Sequence, residues 1–494
     1  MKLVVAIDVG TQSTRSAVVG QDGAILVSAG VDHELHTPRP GWAEQRPDGW
    51  WTETCETLRT VLRDPRVDDG AIAAVAVCGQ MHGPVGIDES GGVTTPWVQT
   101  WADKRSVDQC DRLVADHDEA SLRELTANPV LPAWTGIKVS WERDNHPDAY
   151  GRTRWYLVPK DFVNLRLTGV AATDHSEASC TYLYDRRSGT YSAELADALG
   201  IDIERFAPIN RSVEVVGEVT DEAAAATGLR PGLPVVAGGG DFPTSMLGFG
   251  IVGEGVSADV TGTSTLVAAH SRDPLVDPAI QNCRHVVDGW VPFTLLDSGG
   301  LSMRWCRQLV SSMRGSEISY EELVALAEEA PAGSEGLYFY PYLMGERRRD
   351  NVAAKGGYLG ISLEHSAPHF VRAVMEGVAF AMGRDLAQFA SHGHRSSRLM
   401  SVGGGTRNEL WNRIKAAVVD APLDVSDEPE AGLKGAAILA LTGVGIVDDA
   451  VKAALEWRTR QRTVEPDRDM AAVYRSAQVE FERIYERMLG FWPG

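Results

Sequence analysis

The chain has 494 residues, 44% hydrophobic and 23% charged, with 50 glycines and 24 prolines. That balance belongs to a folded globular protein of two or three domains, and it excludes a disordered, collagen-like or disulfide-stapled chain. Against 68 Asp and Glu stand 47 Lys and Arg, a formal charge of −21, and the tightest basic run, Arg347-Arg348-Arg349, is flanked by Glu346 and Asp350, so no nucleic-acid partner is expected. No run of about 18 apolar residues occurs, so no membrane span is expected. The opening Met1-Lys2-Leu3 does not read as a signal peptide. Cys55, Cys78, Cys110, Cys180, Cys283 and Cys306 form no CxxC pair or metal-spaced cluster, and read as free thiols in a cytoplasmic protein.

In chain order, Leu3 to Ile7, Arg15 to Val19 and Ala24 to Ser28 read as three short strands. The Gly20-Gln21-Asp22-Gly23 turn joins the last two as a hairpin. No helix fits between the first two, which disfavours a Rossmann dinucleotide fold. A helix is predicted over 48–64, a buried strand over Ala71–Cys78, and helices over 103–117 and 155–168, the last limited at its start by Pro159. Val235-Val236-Ala237 is a buried strand, and a helix begins near Pro243. The second half then repeats the opening plan: strand Gly255–Val260, turn Thr261-Gly262-Thr263-Ser264-Thr265, strand Leu266–Ala269. This indicates an internal duplication. Helix 367–388, strand 399–403, and helices 406–419, 432–442 and 468–489 complete the reading.

Several segments carry chemistry. Gly10, Thr11, Gln12 and Ser13 follow a buried strand, and successive turn amides with hydroxyls can form a nest for phosphate. Gly262, Thr263 and Ser264 supply a second copy. Asp8, beside the first turn, suits a divalent metal, or is a solvent-facing strand end. Asp241 follows three glycines that let a ligand approach the backbone; it can accept a hydroxyl proton or cap the next helix. Gly403-Gly404-Gly405-Thr406 opens a helix where a nucleotide can sit, or is a tight turn; Asn408 can cap that helix or touch a ligand. His82, in Gln80-Met81-His82-Gly83, can donate to a ligand hydroxyl or be a core histidine, and Trp101 with Asp103 can hold a polyol. No P-loop sequence and no protein-kinase signature is present.

Taken together, Ile7-Asp8-Val9-Gly10-Thr11, Gly79-Gln80-Met81-His82-Gly83, Trp101-Ala102-Asp103, Pro159-Lys160-Asp161, Gly238-Gly239-Gly240-Asp241, Gly262-Thr263-Ser264, Pro341-Tyr342-Leu343-Met344-Gly345-Glu346-Arg347, Glu376-Gly377 and Gly403-Gly404-Gly405 span nearly the whole chain. In these stretches it resembles the FGGY family of carbohydrate kinases, most of all the xylulokinase branch. The resemblance implies an α/β, two-domain actin/hexokinase-like ATPase fold with ribonuclease H-like cores and an interdomain cleft. Residues 1–250 would form a mainly sugar-binding domain and 251–494 a mainly nucleotide-binding one. ATP and Mg²⁺ are implied as cofactors, a sugar or polyol as substrate, and a homodimer is the candidate assembly. Asp241 matches the catalytic base and Asp8 the metal-associated aspartate. Met81, His82, Trp101 and Asp103 match the acceptor site. Thr11 and Thr263 match the phosphate loops, with Gly10, Gln12, Ser13, Gly262 and Ser264 of the same turns as further candidate nucleotide-binding residues, and Gly404, Gly405 and Asn408 match the adenine-nucleotide region. The expected reaction is phosphorylation of D-xylulose to D-xylulose 5-phosphate. One departure bears on the acceptor: Asn is usual directly after the base, whereas here Phe242 and Pro243 follow. An apolar ring cannot make the amide's hydrogen bonds. Ribulose, gluconate, glycerol and erythritol are therefore alternative acceptors, and a non-catalytic ATP-binding scaffold or sugar sensor is the reading of another class.

Overall fold

The computed structural model describes residues 1–347, 353–458 and 462–492; Arg348, Arg349 and Asp350 of the basic run lie outside the described residues. The chain divides into two compact units. The first comprises Met1–Val252, Arg272–Val291 and Glu430–Arg458, and the second Gly253–Ser271, Pro292–Pro429 and Thr459–Gly494. Two segments beyond residue 250, Arg272–Val291 and Glu430–Arg458, thus belong with the first unit.

In the first unit the strands Leu3–Val9, Ser13–Gly20 and Ile25–Asp32 form an antiparallel meander. Gly23, at φ +82°, closes the second hairpin turn. Ile72–Gly79 and then Pro234–Gly240 add in parallel on the other side of Leu3–Val9, and Val215–Glu218 closes that edge antiparallel. The unbroken apolar runs follow from burial on both faces. Leu3, Val5, Ile7 and Val9 face Trp50, Leu58 and Val61 of helix Pro47–Leu62 and Phe162 and Leu167 of helix Pro159–Thr168. Val4 and Ala6 face the opposite way, with Ala74, Ala76 and Cys78, against Leu433, Ala436, Ala437 and Ala440 of helix Ala431–Gly443. Small residues let that helix lie close. A Cβ on Gly435 would stand 2.0 Å from the Thr244 carbonyl oxygen, and one on Gly248 2.0 Å from that of Ala431.

The second unit repeats the plan. Val256–Thr261, Thr265–Ala269 and the later residues of Trp290–Leu296 form the antiparallel meander. Arg398–Val402 and Leu423–Val425 extend it in parallel, and Arg462–Val464 closes the edge antiparallel. The spatial order and directions of these six strands match those of the first unit's six, as the repeated turns implied. Its core joins helices Ala367–Ser391, Glu409–Val419 and Arg468–Met488 through Phe380, Ile414, Tyr474 and Phe481.

Some elements differ from expectation. The predicted helix 155–168 is a strand, Trp155–Leu157, followed by helix Pro159–Thr168. Val158 is extended before proline, and Pro159 takes the first helical position, where its missing N–H costs nothing. The helix predicted over 103–117 is shorter, Val107–Asp116, because Asp103 is engaged elsewhere. Helix 406–419 begins only at Glu409, after a 3₁₀ turn at Gly404–Arg407. All six cysteines are free and buried. Among the described residues no helix is long and apolar enough to cross a membrane.

Candidate active site

Strand Pro234–Gly240 ends in three glycines, each needed for a separate reason. Gly238 has φ +71°, and a Cβ there would stand 1.8 Å from the Val77 carbonyl oxygen. On Gly239 it would meet Val286 at 2.3 Å, and on Gly240 the Met81 sulfur at 2.7 Å. The segment is held from behind. Ala237 O accepts from Lys160 Nζ (3.1 Å) and Asn164 Nδ2 (2.9 Å), and Gly240 N donates to Ser176 Oγ (3.0 Å). Asp241 then begins helix Asp241–Gly248, and Gly240, not Asp241, is its N-cap. The Asp241 carboxylate is half-buried and accepts from the Phe242 amide at 2.7 Å. Burial first, and the negative charge of Asp8 second, push its pKa up to about 7, against the pull of that amide.

Asp8 is buried. Its Oδ2 accepts from Arg15 Nη2 at 2.7 Å, and Arg15 in turn reaches Glu430 Oε2 at 2.9 Å. Its Oδ1 is buried with no hydrogen-bond partner among the described residues. Burial raises its pKa, with Arg15 opposing. Asp259 in the second unit holds the corresponding register: Asp8 pairs across the parallel strand with Cys78, and Asp259 with Ser401. Yet both oxygens of Asp259 are taken, Oδ1 by Thr261 Oγ1 and Oδ2 by Ser401 Oγ (2.6 Å) and Lys415 Nζ. One copy of the repeated aspartate is structural and the other keeps an unspent oxygen.

The first Gly-Thr turn is closed by Gly10 N donating to Ser13 O at 3.0 Å. Thr11 Oγ1 accepts from Trp101 Nε1 at 2.9 Å, and Trp101 is 36% exposed, so the indole and the turn meet. Met81 is buried against Gly240. His82 is half-buried with a left-handed backbone at φ +73°, an uncommon conformation that concentrates at functional sites. Its ring meets Trp134 edge to face at 5.3 Å. Asp103 does not face a ligand. Its Oδ1 accepts from the Arg105 amide and Nε (both 2.9 Å), its Oδ2 from Ala43 N (2.7 Å) and Arg105 Nη2 (2.6 Å), and its side chain has no exposed surface. Arg105 is held over Trp42 at 3.5 Å, so Asp103 anchors the segment that carries Ala43 to Gln45.

In the second unit Gly262 N donates to Ser264 O at 2.9 Å, a turn one residue tighter than the Gly10-to-Ser13 closure, and Gly262 and Thr263 are exposed. Helix Gly299–Arg314 abuts this turn: Leu301 N donates to Thr263 O at 2.9 Å, and a Cβ on Gly300 would stand 1.8 Å from Gly262 O. The glycine loop lies beside it, since a Cβ on Gly403 would stand 2.7 Å from Thr261 O and one on Gly405 2.8 Å from Thr261 Cγ2. Gly404 is exposed with nothing near its missing Cβ. Asn408 takes the capping role, Oδ1 accepting from Trp411 N at 3.0 Å. Glu376 Oε1 accepts from Arg372, Tyr474 and the Gly333 amide, and is a buried brace rather than a ligand group.

Residues 3–248 match the N-terminal domain of the FGGY family of carbohydrate kinases, and residues 258–444 its C-terminal domain. The chain belongs to the FGGY family of carbohydrate kinases. This FGGY kinase is 28% identical over 492 residues to a xylulose kinase of Bacillus subtilis, covering 98% of this chain and 97% of the relative. It is 26% identical over 488 residues to a gluconokinase of the same organism, covering 96% and 93%. The crystal structure of a xylulose kinase from Rhodospirillum rubrum superposes with TM-score 0.93 at 29% identity, over 99% of both chains. FGGY kinases act on sugars or polyols with ATP and Mg²⁺. Among the described residues of this FGGY kinase no group of three His, Cys, Asp or Glu side chains forms a metal cage. The unspent Asp8 Oδ1 nonetheless fits Mg²⁺, which binds through one or two carboxylates together with water and substrate phosphates.

Four residues that sequence reading passed over surround the first turn. Gln45 Nε2 donates to Thr11 O (2.8 Å), Gln80 Nε2 to Gln45 Oε1 (2.6 Å), and His33 Nε2 lies 2.8 Å from Gly10 O while its Nδ1 meets Glu53 Oε2 (2.8 Å). Gln80 lies in the Gln80-Met81-His82-Gly83 stretch, two residues before His82. The other three lie 20 to 40 residues from the turn, and no local spacing signals them.

Proposed function

We propose that the acceptor of this FGGY kinase is a five-carbon ketose, D-xylulose foremost, phosphorylated to D-xylulose 5-phosphate. The observation that carries the catalytic reading is Asp241, a half-buried carboxylate beside Asp8 with a pKa near neutrality. A base is most effective when its pKa lies near the working pH. Asp241 takes the proton of the attacking hydroxyl, the hydroxyl oxygen bonds to the γ-phosphorus, and ADP leaves. Phosphoryl transfer asks little covalent chemistry of the protein; alignment and charge stabilisation dominate. Within the first unit Thr11 and Gln12 offer amides to phosphate oxygens; within the second, taken by itself, Thr263 and the Gly404-Gly405 backbone are open to a nucleotide. Mg²⁺, when bound, supplies positive charge to the phosphate oxygens, and Asp8 Oδ1 is the oxygen that would hold it. Met81 and His82 line the acceptor, with Trp101 as its wall. Asp103 acts at one remove, through the segment bearing Gln45.

The xylulose reading is supported by the full-length similarity to xylulose kinases and by the Gln80-Met81-His82-Gly83 and Trp101-Ala102-Asp103 stretches. Phe242 favours a second reading, a different acceptor such as ribulose, gluconate, glycerol or erythritol, and the gluconokinase relative gives that reading weight. The test is ADP release against a panel of ketoses, aldonates and polyols, with the product identified by NMR. Highest kcat/KM on D-xylulose supports the first reading. A gluconate or tetritol preference overturns it, and no acceptor-dependent turnover overturns both.

A further inference from the structure

The phosphate-facing turn does not aim itself. The peptide unit is planar and trans, so its C=O and N–H point in opposite directions. Three consecutive carbonyls of this turn are tied to donors behind it. Gly10 O accepts from His33 Nε2 (2.8 Å) and Gln80 Nε2 (3.3 Å). Thr11 O accepts from Gln45 Nε2 (2.8 Å), and Gln12 O from the His33 amide (3.0 Å). With the Gly10 and Thr11 carbonyls held, the amides of Thr11 and Gln12 must face away from those donors. Neither amide donates to another described residue. Two neighbouring N–H groups aimed outward are an anion nest.

The donor set is itself ordered. Carbonyl oxygens only accept, so Gln45 and Gln80 must present their NH₂ groups to the turn, and His33 must carry a proton on Nε2. Gln80 secures Gln45 through its Oε1, leaving the Gln45 amide no reason to flip. Glu53 fixes the His33 ring and also accepts from Thr14 Oγ1 (2.8 Å) at the start of the next strand. Gln45 and Gln80 are both buried, so neither bond is exchanged freely with water.

The geometry points to Gln45 as a positioning residue for nucleotide binding: with Gln80 and His33 it holds the Gly10 and Thr11 carbonyls inward and thereby sets the Thr11 and Gln12 amides toward the phosphates. This rests on the kinase reading above. Gln45 touches no ligand; it acts through the turn.

The test is a binding titration without any acceptor, using ADP and adenosine on the full chain, wild type and Gln45→Met, with thermal melting to check folding. The variant keeps length and bulk but loses the donor. ADP Kd is expected to rise about tenfold, while adenosine Kd stays within about twofold, since only the phosphates see the turn. Equal losses for both ligands, or an unchanged ADP Kd, overturn the inference while leaving the kinase reading intact. If Gln45→Met does not fold, Gln80→Met carries the same comparison through Gly10 O. A wild-type chain that binds no ADP overturns the kinase reading and this inference with it.

Discussion

The indole N–H of Trp101 donates to the hydroxyl oxygen of Thr11 across 2.9 Å. Indole nitrogen can only donate, so Thr11 receives that proton and its own O–H is directed elsewhere. One bond therefore orients both the Trp101 indole and the Thr11 hydroxyl, the proposed acceptor wall and a proposed phosphate contact. Trp101→Phe keeps a ring and removes the donor. A neutral hydrogen bond is worth about 1 kcal/mol, so ATP KM is expected to rise about fivefold. In a Thr11→Val background the same change should add nothing, and full additivity in the cycle would refute the coupling.

Asp241→Asn is expected to lower kcat by about two to four orders of magnitude with ADP affinity retained, as for loss of a general base. In the wild type, kcat/KM should rise with pH and level off above about 7, where Asp241 is ionised. Stability runs the other way. The folded pKa of about 7 exceeds the ordinary 3.8, so between those values the folded chain keeps a proton that the unfolded chain has released. Stability falls as pH rises through that window and the penalty is complete above it. Asp241→Asn should therefore melt higher than the wild type at pH 8, with the gap closing by about pH 4. Equal melting temperatures at both pH values would contradict the shifted carboxylate.

Phe242→Asn puts an amide directly after Asp241, the proposed base. If the aromatic ring is what moves this chain away from xylulose-type recognition, the variant should raise kcat/KM for D-xylulose relative to gluconate and glycerol by about tenfold or more, since buried hydrogen-bonding groups discriminate strongly. An unchanged ranking across the same acceptor panel would show that Phe242 has no part in the choice.

Lys415 and Asp259 are fully buried and paired. Removing one partner leaves the other charge stranded, which costs about 3–5 kcal/mol. Lys415→Met should thus lower the melting temperature sharply, and Lys415→Met with Asp259→Asn should recover part of the loss. A single variant as stable as the wild type would rule out the structural role given to this second aspartate.

The strands and the two Gly-Thr turns were legible because a buried strand is an apolar run and a glycine turn is a local event. Asp8 and Asp259 show where legibility ends. Both stand before a Gly-Thr turn, and only the partners brought in by Ser401 and Lys415 separate the filled carboxylate from the one with an unspent oxygen. Asp103 and Asn408 were read as ligand groups or candidates for it. Arg105, two residues on, fills Asp103, and the Trp411 amide, three residues on, takes Asn408, short-range bonds that satisfy a polar side chain without a ligand. Gln45, His33 and Glu53 were missed because their partners are chosen by tertiary proximity.

Helix Ala431–Gly443 covers the face of the first sheet that carries Val4, Ala6, Ala74 and Ala76. A ribosome delivers that sheet's strands by residue 240 but must reach residue 443 of 494 before the helix that seals it exists. The nascent chain therefore carries an open apolar surface through the synthesis of nearly the whole second unit, and an isolated 1–250 fragment would keep it permanently. Such a surface is a natural landing place for a chaperone, and in its absence for aggregation.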